Sequence, residues 1–328
     1  MRRREFITLI SGAAAAWALP ACAQQSMPVI GYLHASSLGG VARFVNAFKA
    51  GLKEGGYTEG QNIVIESRFA EGQTERLPAM AAELAGRGVQ LIATGGAEYP
   101  ALAAKAAAAK AGIPVVFVLG GDPVKLGLVP SLARPAGHVT GIAMLTSYLE
   151  GKRFGLLHEI IPAAKTIAAL VDPTRAVVQN QLSELNDAAS RAKVRLVVIN
   201  GSKESELETA FARAAEEGAG ALQICANPNF LGLRRQLVAL AARHRIPAMY
   251  EWRDFVEIGG LMSYGTDLAD AYREAGVYAA KILKGTKPAD LPVMQATKFE
   301  FVLNLKTAKA QGVEIAPTVL ARADQVIE

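Results

Sequence analysis

A succession of strand, helix and turn signals runs once through the chain and then runs again, and this duplication limits the architectures open to it. Pro28-Val29-Ile30-Gly31-Tyr32-Leu33 reads as a strand, and residues 41–54 follow with Val41, Phe44, Val45, Phe48 and Leu52 at helical spacing before Gly55-Gly56. A strand at 63–69, a helix at 75–86, a strand at 89–93, an Ala-rich helix at 98–111 and a continuous apolar strand at 113–119 complete the first set. The second set holds a strand at 166–171, a helix at 176–192, a strand at 194–199, a helix at 204–217, a strand at 221–225, a helix at 230–244 and a strand starting at Ile246-Pro247. Val29 matches Thr166, and Ile113 matches Ile246, so the register drifts by only a few residues over four βα units. Alternation of this kind predicts parallel sheets covered by helices on both faces, here two doubly wound α/β lobes of similar topology.

Beyond the second set, residues 268–284 put Leu268, Ala271, Tyr272, Ala275, Tyr278, Ala279 and Ile282 on one helical face, and a strand follows at 299–304. One helix and one strand are too little for a third domain, so they must complete the two sheets. Chain that passes between lobes more than once makes a hinge of several strands with a cleft beside it, and such clefts are the usual place for a small ligand.

Composition narrows the class. Of 328 residues, 51% are hydrophobic and 20% charged, and the mean hydropathy is +0.21, which opposes extended disorder. No apolar run reaches the ~18 residues of a membrane span, so a polytopic membrane protein is excluded. Lys and Arg number 35 against 30 Asp and Glu. Arg2, Arg3 and Arg4 contribute much of that small excess, and no basic cluster follows, so a nucleic-acid partner is not expected.

The first residues read as an export signal. Arg2, Arg3 and Arg4 precede an apolar stretch from Ile7 to Ala21, and Ala21-Cys22-Ala23 has the small-x-small form read by signal peptidase. Arg3-Arg4-Glu5-Phe6-Ile7 resembles a twin-arginine signal, with Thr8 where Lys is common. Residues 1–23 are therefore expected to be removed near Ala23, giving a periplasmic protein. Leu19-Pro20-Ala21-Cys22 is a weaker alternative, a lipobox that would tether the chain through Cys22, although Pro20 suits that motif poorly. After cleavage Cys225 is the one cysteine left, in an apolar strand, and reads as a buried inert thiol.

Motifs for catalysis and cofactors are missing. The turn after the first strand lacks G-x-G-x-x-G, and the chain has no phosphate-loop signature, H-E-x-x-H or C-x-x-C. Gly260 to Gly265 fails the nucleophile-elbow pattern at Leu261. The four histidines are scattered; His34 alone falls on a loop facing the cleft. No cofactor, no metal and no catalytic residues are expected.

In open α/β sheets ligands lie beyond the carboxyl ends of the strands. That rule selects Ser36, Ser37, Thr94, Gly95, Gly96, Ala97, Asp122, Asn227 and Tyr250, with Asp172 at the matching turn of the second lobe and Tyr264 at a crossover. Amides at Gly95 and Gly96 could hold a carboxylate at the start of the following helix, or the glycines serve only a tight turn. Asp122 could meet an ammonium group or cap its own turn before Pro123. Tyr250 and Tyr264 could wall the cleft or pack in a core. Such a set suits a small zwitterion or a flat heterocycle.

Several tracts, in order, carry a family resemblance. They are Gly121-Asp122-Pro123-Val124, Gly127-Leu128-Val129, Leu132-Ala133-Arg134-Pro135 and Val139-Thr140-Gly141. Ile246-Pro247-Ala248-Met249-Tyr250, Gly259-Gly260-Leu261-Met262-Ser263-Tyr264-Gly265 and Ile282-Leu283-Lys284-Gly285 follow, then Pro288 to Val293 and Phe299 to Ala308. The chain resembles the ABC-transporter substrate-binding proteins of the type I periplasmic binding fold, often typed from tryptophan and tyrosine binders. It departs from them at Pro135-Ala136-Gly137-His138 and at Met294-Gln295-Ala296. The resemblance implies two Rossmann-like lobes on a multi-strand hinge, lobe 1 at 27–143 plus about 266–290 and lobe 2 at 144–265 plus about 295–328. It implies a monomer that binds an amino-acid-like or flat heterocyclic ligand without chemistry and presents it to an ABC permease in the inner membrane. Two alternatives stay open: an exported α/β enzyme acting in the cleft, and a sensory binding protein serving a membrane receptor.

Overall fold

A computed structural model describes residues 27–328; the expected signal, its twin-arginine motif and Cys22 lie outside the described residues. In chain order the elements are β1 (Val29–His34), α1 (Leu38–Glu54), β2 (Val64–Phe69), α2 (Leu77–Gly86), β3 (Leu91–Gly95), α3 (Glu98–Ala108), β4 (Val115–Leu119) and β5 (Val139–Ala143). There follow α4 (Glu150–Ile160), β6 (Thr166–Val171), α5 (Val178–Ala192), β7 (Arg195–Asn200), α6 (Glu204–Glu216), β8 (Ala221–Ile224), α7 (Pro228–Gly232), α8 (Arg234–Arg243) and β9 (Ala248–Tyr250). The chain ends with α9 (Arg253–Val256), β10 (Met262–Thr266), α10 (Leu268–Leu283), β11 (Met294–Gln295), β12 (Phe299–Asn304), α11 (Leu305–Gln311), α12 (Pro317–Leu320) and β13 (Gln325–Ile327).

Two sheets result, and their topologies repeat. The first has the order β11-β5-β4-β3-β1-β2 and the second β13-β12-β10-β9-β8-β6-β7. Substituting β6 for β1, β7 for β2 and so on turns the core of one order into the other. Equivalent strands also start in register: Val29 pairs with Val64 in the first sheet and Thr166 with Arg195 in the second. These pairs are parallel, as βαβ connection demands, and the two doubly wound lobes expected from the sequence are present.

The central strands of each sheet are buried on both faces because they are apolar in a continuous run; β4, Val-Val-Phe-Val-Leu, is buried throughout, whereas the edge strand β2 carries Glu66, Ser67 and Arg68 and is only half-buried. In lobe 1, α2 and α3 close one face, where Leu77, Ala81, Leu84, Ala101 and Ala104 meet Ile92 and Phe117. The opposite face carries α1 and α10. In lobe 2, α4 and α5 cover one face with Phe154, Leu157 and Leu185. The other face is covered from α6 to α9, where Phe211, Leu237 and Phe255 join the same apolar cluster as α1 and α10. That cluster runs without a break from one lobe to the other.

The chain passes between sheets three times: after β5, between β10 and α10, and between β11 and β12. The return of α10 to the first sheet depends on two small residues. A Cβ on Gly51 of α1 would overlap the Arg273 carbonyl oxygen and lie 2.9 Å from the Val277 nitrogen, and one on Gly276 of α10 would overlap the Phe48 carbonyl oxygen and lie 2.8 Å from the Leu52 nitrogen. Only glycine at both positions lets the helix backbones touch. Asp267 starts α10 by accepting a hydrogen bond from the Asp270 amide at 3.1 Å, as an N-cap should.

Candidate functional site

Turns and helices from both lobes converge between them. The turn after β1, the turn after β3, α1 and α10 come from lobe 1, and the turns after β6, β8 and β9 come from lobe 2. At their centre His34, Val41, Phe44, Gly96 and Met144 face Pro228, Leu231 and Trp252, with Leu268 and Tyr272 closing the side. The space they enclose is about 10 Å³. Ligand pockets run to roughly 300–1,000 Å³, so a metabolite enters only if the lobes separate. Phe44, Trp252, Tyr272 and His34 are each at most 4% exposed, and Phe44 and Tyr272 stack with ring centroids 5.3 Å apart. This part of the cleft is an aromatic and aliphatic slot.

A charged pair stands beside the slot and bridges the lobes. Glu98 opens α3, two residues after Gly96; Arg175 lies in the turn after β6. Arg175 donates from Nη2 to Glu98 Oε2 at 2.7 Å and from Nε to Oε1 at 3.3 Å, a bidentate contact. Its Nη1 donates to the Ala226 carbonyl at 2.7 Å. The two side chains are 5% and 1% exposed. Two further links cross the cleft: Tyr99 donates to the Thr174 carbonyl at 3.1 Å, and Arg43 pairs with Asp254 at 3.0 Å.

The lobe 2 turns are fixed from below by a buried polar network. Glu150 accepts from Gln181 Nε2 at 3.0 Å, Gln223 Nε2 at 2.6 Å and the Ala226 amide at 2.8 Å, and pairs with Arg153 at 3.1 Å. Arg153 also donates to the Tyr264 carbonyl at 2.7 Å, tying the network to the strand that leads back to lobe 1. Glu251 lies against this network 3.9 Å from Arg153, and burial raises its carboxyl to about 7 despite the guanidinium beside it. Burial acts on His34 in the opposite sense and lowers its imidazole to about 4.

These two groups give stability opposite dependences on pH. Glu251 keeps its proton up to about 7 when folded, against 4.5 ordinarily, so its contribution is complete below pH 4.5 and is lost as pH rises through 7. His34 refuses a proton down to about 4, against 6.5 ordinarily, so its contribution is complete above pH 6.5 and is lost as pH falls toward 4. At ~1.4 kcal/mol per pH unit each is worth about 3 kcal/mol, and the slopes oppose. Glu251→Gln should therefore be more stable than the parent at pH 8 and lose its advantage in acid. Urea unfolding at pH 4.5, 6.5 and 8 checks this; a constant difference between the two proteins at all three would contradict it.

The residues selected from the sequence divide into three groups. Ser36 and Ser37 lie at the polar mouth of the cleft, a space of about 400 Å³ shared with Gln73, Ser202, Lys203 and Asn229. Thr94, Gly95, Gly96 and Ala97 form the lobe 1 turn between β3 and α3, of which Gly96 lines the slot. Gly96 takes φ +87° and lines the slot, while a Cβ on Gly95 would meet the Tyr272 hydroxyl at 2.6 Å. The Gly96 amide is occupied by the Val118 carbonyl at 3.0 Å, and the Thr94 hydroxyl is buried without a partner among the described residues. Asp122, Asn227, Tyr250 and Tyr264 instead hold the scaffold. Asp122 accepts from the Val124 amide at 2.9 Å, closing its own turn. Asn227 caps α7 through the Asn229 amide and donates to Asp172 at 3.2 Å. Tyr250 stacks on Phe255 at 4.7 Å in the core, and Tyr264 packs beside Phe299 on the α4–α5 side of the second sheet.

Phe44, Glu98, Met144, Arg175, Trp252 and Tyr272 escaped the sequence reading. Trp252 lies two residues beyond the end of β9, within reach of the strand-end rule had it been extended. Tyr272 was visible on the apolar face of its helix, where it reads as core. Nothing in the sequence joins Glu98 to Arg175, because the fold alone brings these distant positions together.

Two equivalent α/β lobes, three crossings and a closed interlobe slot define a bilobed ligand-binding protein. The chain belongs to the ABC transporter substrate-binding protein family, whose model matches residues 35–327; it is a substrate-binding protein of ABC transporters. It is 27% identical over 266 residues to a protein named tyrosine-binding protein from Clostridioides difficile (strain R20291), covering 80% of this chain and 74% of that one. Among solved structures, a conserved domain protein from Vibrio cholerae superposes with TM-score 0.84 at 24% identity, covering 92% of this chain and 99% of that one. An ABC domain in complex with L-Trp from Streptococcus pneumonia superposes with TM-score 0.83 at 26% identity, covering 92% and 100%.

Proposed function

We propose that this chain is the exported, periplasmic and non-catalytic binding component of an ABC importer. As a monomer it would carry an aromatic amino acid, or a flat heterocycle of similar size, to a permease in the inner membrane. The observation that carries this reading is that the Glu98–Arg175 pair is tied to residues flanking the aromatic slot, Glu98 two positions after Gly96 and Arg175 bonded to the Ala226 carbonyl two positions before Pro228. Phe44 and Trp252 offer ring faces, while Glu98 and Arg175 are a carboxylate and a guanidinium that an ammonium and a carboxylate of a ligand could each engage in exchange for their own contact. A relative named for tyrosine and a structural neighbour holding L-Trp favour the same class. Export is inferred from the arginines and small-x-small site within residues 1–23. The moving units are taken as 27–143 plus about 266–290 and 144–265 plus about 295–328, hinged at the three crossings.

The test has two stages. Mass spectrometry of the small molecule extracted from protein purified out of its native host should find an aromatic amino acid or a flat heterocycle. Calorimetric titration of ligand-stripped protein with L-tyrosine, L-tryptophan and L-phenylalanine should give one site per chain. Binding restricted to sugars, or conversion of any bound compound, would refute the proposal.

A further inference from the structure

The cleft contains a hydrogen-bond arrangement that bears on which aromatic ligand it accepts. His34 Nδ1 accepts from the Ser36 amide at 3.0 Å, so in the neutral ring the proton resides on Nε2. Burial, which lowers the imidazole to about 4, keeps the ring neutral at ordinary pH. His34 Nε2 lies 3.1 Å from the Tyr272 hydroxyl. With the proton on Nε2, histidine donates and the hydroxyl oxygen accepts. The Tyr272 proton then has no acceptor among the bonds of the described residues, although the side chain is 2% exposed. Its surroundings face the cleft: the sites of Gly95 and Gly96 lie against this hydroxyl, and Gly96 is part of the slot wall.

A second unspent donor belongs to the same slot. Trp252 lines it, and its indole Nε1 is buried without a partner among the described residues. No side chain lining the slot is an aspartate, glutamate, asparagine or glutamine. The wall therefore offers donors to a ring and almost nothing that accepts. A buried donor left unmatched costs about 1–3 kcal/mol, so a ligand is rewarded for bringing an acceptor and gains little from bringing another donor.

We propose that the His34–Tyr272 pair, with Trp252, makes the cleft selective for a ring bearing an oxygen acceptor, such as a phenol or a ring carbonyl, over a plain phenyl ring or an indole. The proposal rests on the reading of the slot as an aromatic-ligand site. Tyr272 is the residue that touches the ligand, and His34 is a positioning residue that turns the tyrosine proton outward.

The test is a calorimetric comparison of L-tyrosine, L-phenylalanine and L-tryptophan on full-length mature protein. Wild-type protein should bind L-tyrosine about tenfold or more tighter than L-phenylalanine, and L-tryptophan no better than L-phenylalanine. Tyr272→Phe should collapse the tyrosine-to-phenylalanine ratio to within about threefold. His34→Leu should lower the same ratio and His34→Gln, which keeps a side-chain donor, should restore it; a merely structural loss would weaken all three ligands together. Equal affinities on the wild type, a preference for L-tryptophan, or a ratio untouched by Tyr272→Phe would each overturn the selectivity. Failure of all three amino acids to bind would overturn the aromatic reading of the cleft itself and the inference with it, a result readily told apart from binding without selectivity.

Discussion

Gly276→Ala should cripple the protein, although glycine-to-alanine in a helix normally stabilises by about 1 kcal/mol. The reversal of sign is what makes the substitution informative. α10 crosses α1 with backbone against backbone, and the added methyl would overlap the Phe48 carbonyl oxygen and approach the Gly51 Cα to 3.0 Å. Neither obstacle is a flexible side chain, so relief requires the helices to move apart. Separation would open the layer formed by Phe44, Phe48, Leu52, Tyr272, Ala275 and Ala279. The expected loss is about 3 kcal/mol or more, at or above the upper end of what overpacked cores usually cost, because backbone and not side chain is in the way. Gly155→Ala is the matched control, since that helical glycine is exposed and a methyl added to it would meet nothing within 4 Å. It should raise stability by a few tenths to about 1 kcal/mol. Thermal melts followed by circular dichroism compare the two; similar small shifts in both would show that the close crossing is not a constraint.

Arg175→Ala should have the second largest effect, and on closure more than on folding. The substitution leaves the Glu98 carboxylate, 1% exposed, facing a void in the closed form and strips the Ala226 carbonyl of its 2.7 Å donor. Removing one partner of a buried pair costs roughly 3–5 kcal/mol because the remaining charge is stranded. Separation of the lobes lets water reach Glu98, so the cost falls on the closed state and not on either lobe. A penalty of that size shifts the open-to-closed ratio by about two to four powers of ten. Ligand affinity should fall by a comparable factor, with the melting behaviour of the lobes little changed. Adding Glu98→Ala should recover part of the closure, since the stranded charge is then gone. Small-angle scattering and ligand titration on the single and double variants measure both effects; a single variant that stays compact and binds normally would remove the pair from any role in closure.

The fold was written in the sequence to the extent that its elements are locally consistent. β12 occupies residues 299–304 as expected, and α10 runs from 268 to 283 along the apolar face seen in the sequence. The duplicated topology followed from spacing alone because parallel strands buried on both faces leave continuous apolar runs. Local signals failed where tertiary contacts decide. The expected helix at 230–244 is two helices, because Asn227 and Pro228 begin a short one early and Leu233, at φ −93° and ψ 8°, breaks the run. β5 is five residues with a glycine at its centre, and β13 is three; each exists because a neighbouring strand supplies its hydrogen bonds.

The site was legible as a location and not as a set of side chains. Of the strand-end residues selected, Ser36 lines the mouth of the cleft and Gly96 the slot. Direction was hidden: a strand-end rule cannot show that Asp122 bends back to its own turn, that Tyr250 turns into the core, or that Arg175 reaches across to Glu98. Those outcomes depend on rotamers chosen by packing between residues up to 77 positions apart.

The account stands on closure of two lobes around a ligand, and a distance across the cleft mouth measures that motion directly. Gln73 in lobe 1 and Lys203 in lobe 2 are exposed residues on opposite sides of the mouth, and Cys225 is buried. Gln73→Cys and Lys203→Cys can therefore carry spin labels with little competition. Pulsed resonance on the labelled protein without residues 1–23 should give a broad or long distance without ligand that becomes short and narrow when an aromatic amino acid binds. A distance that stays fixed at saturating ligand would contradict the account.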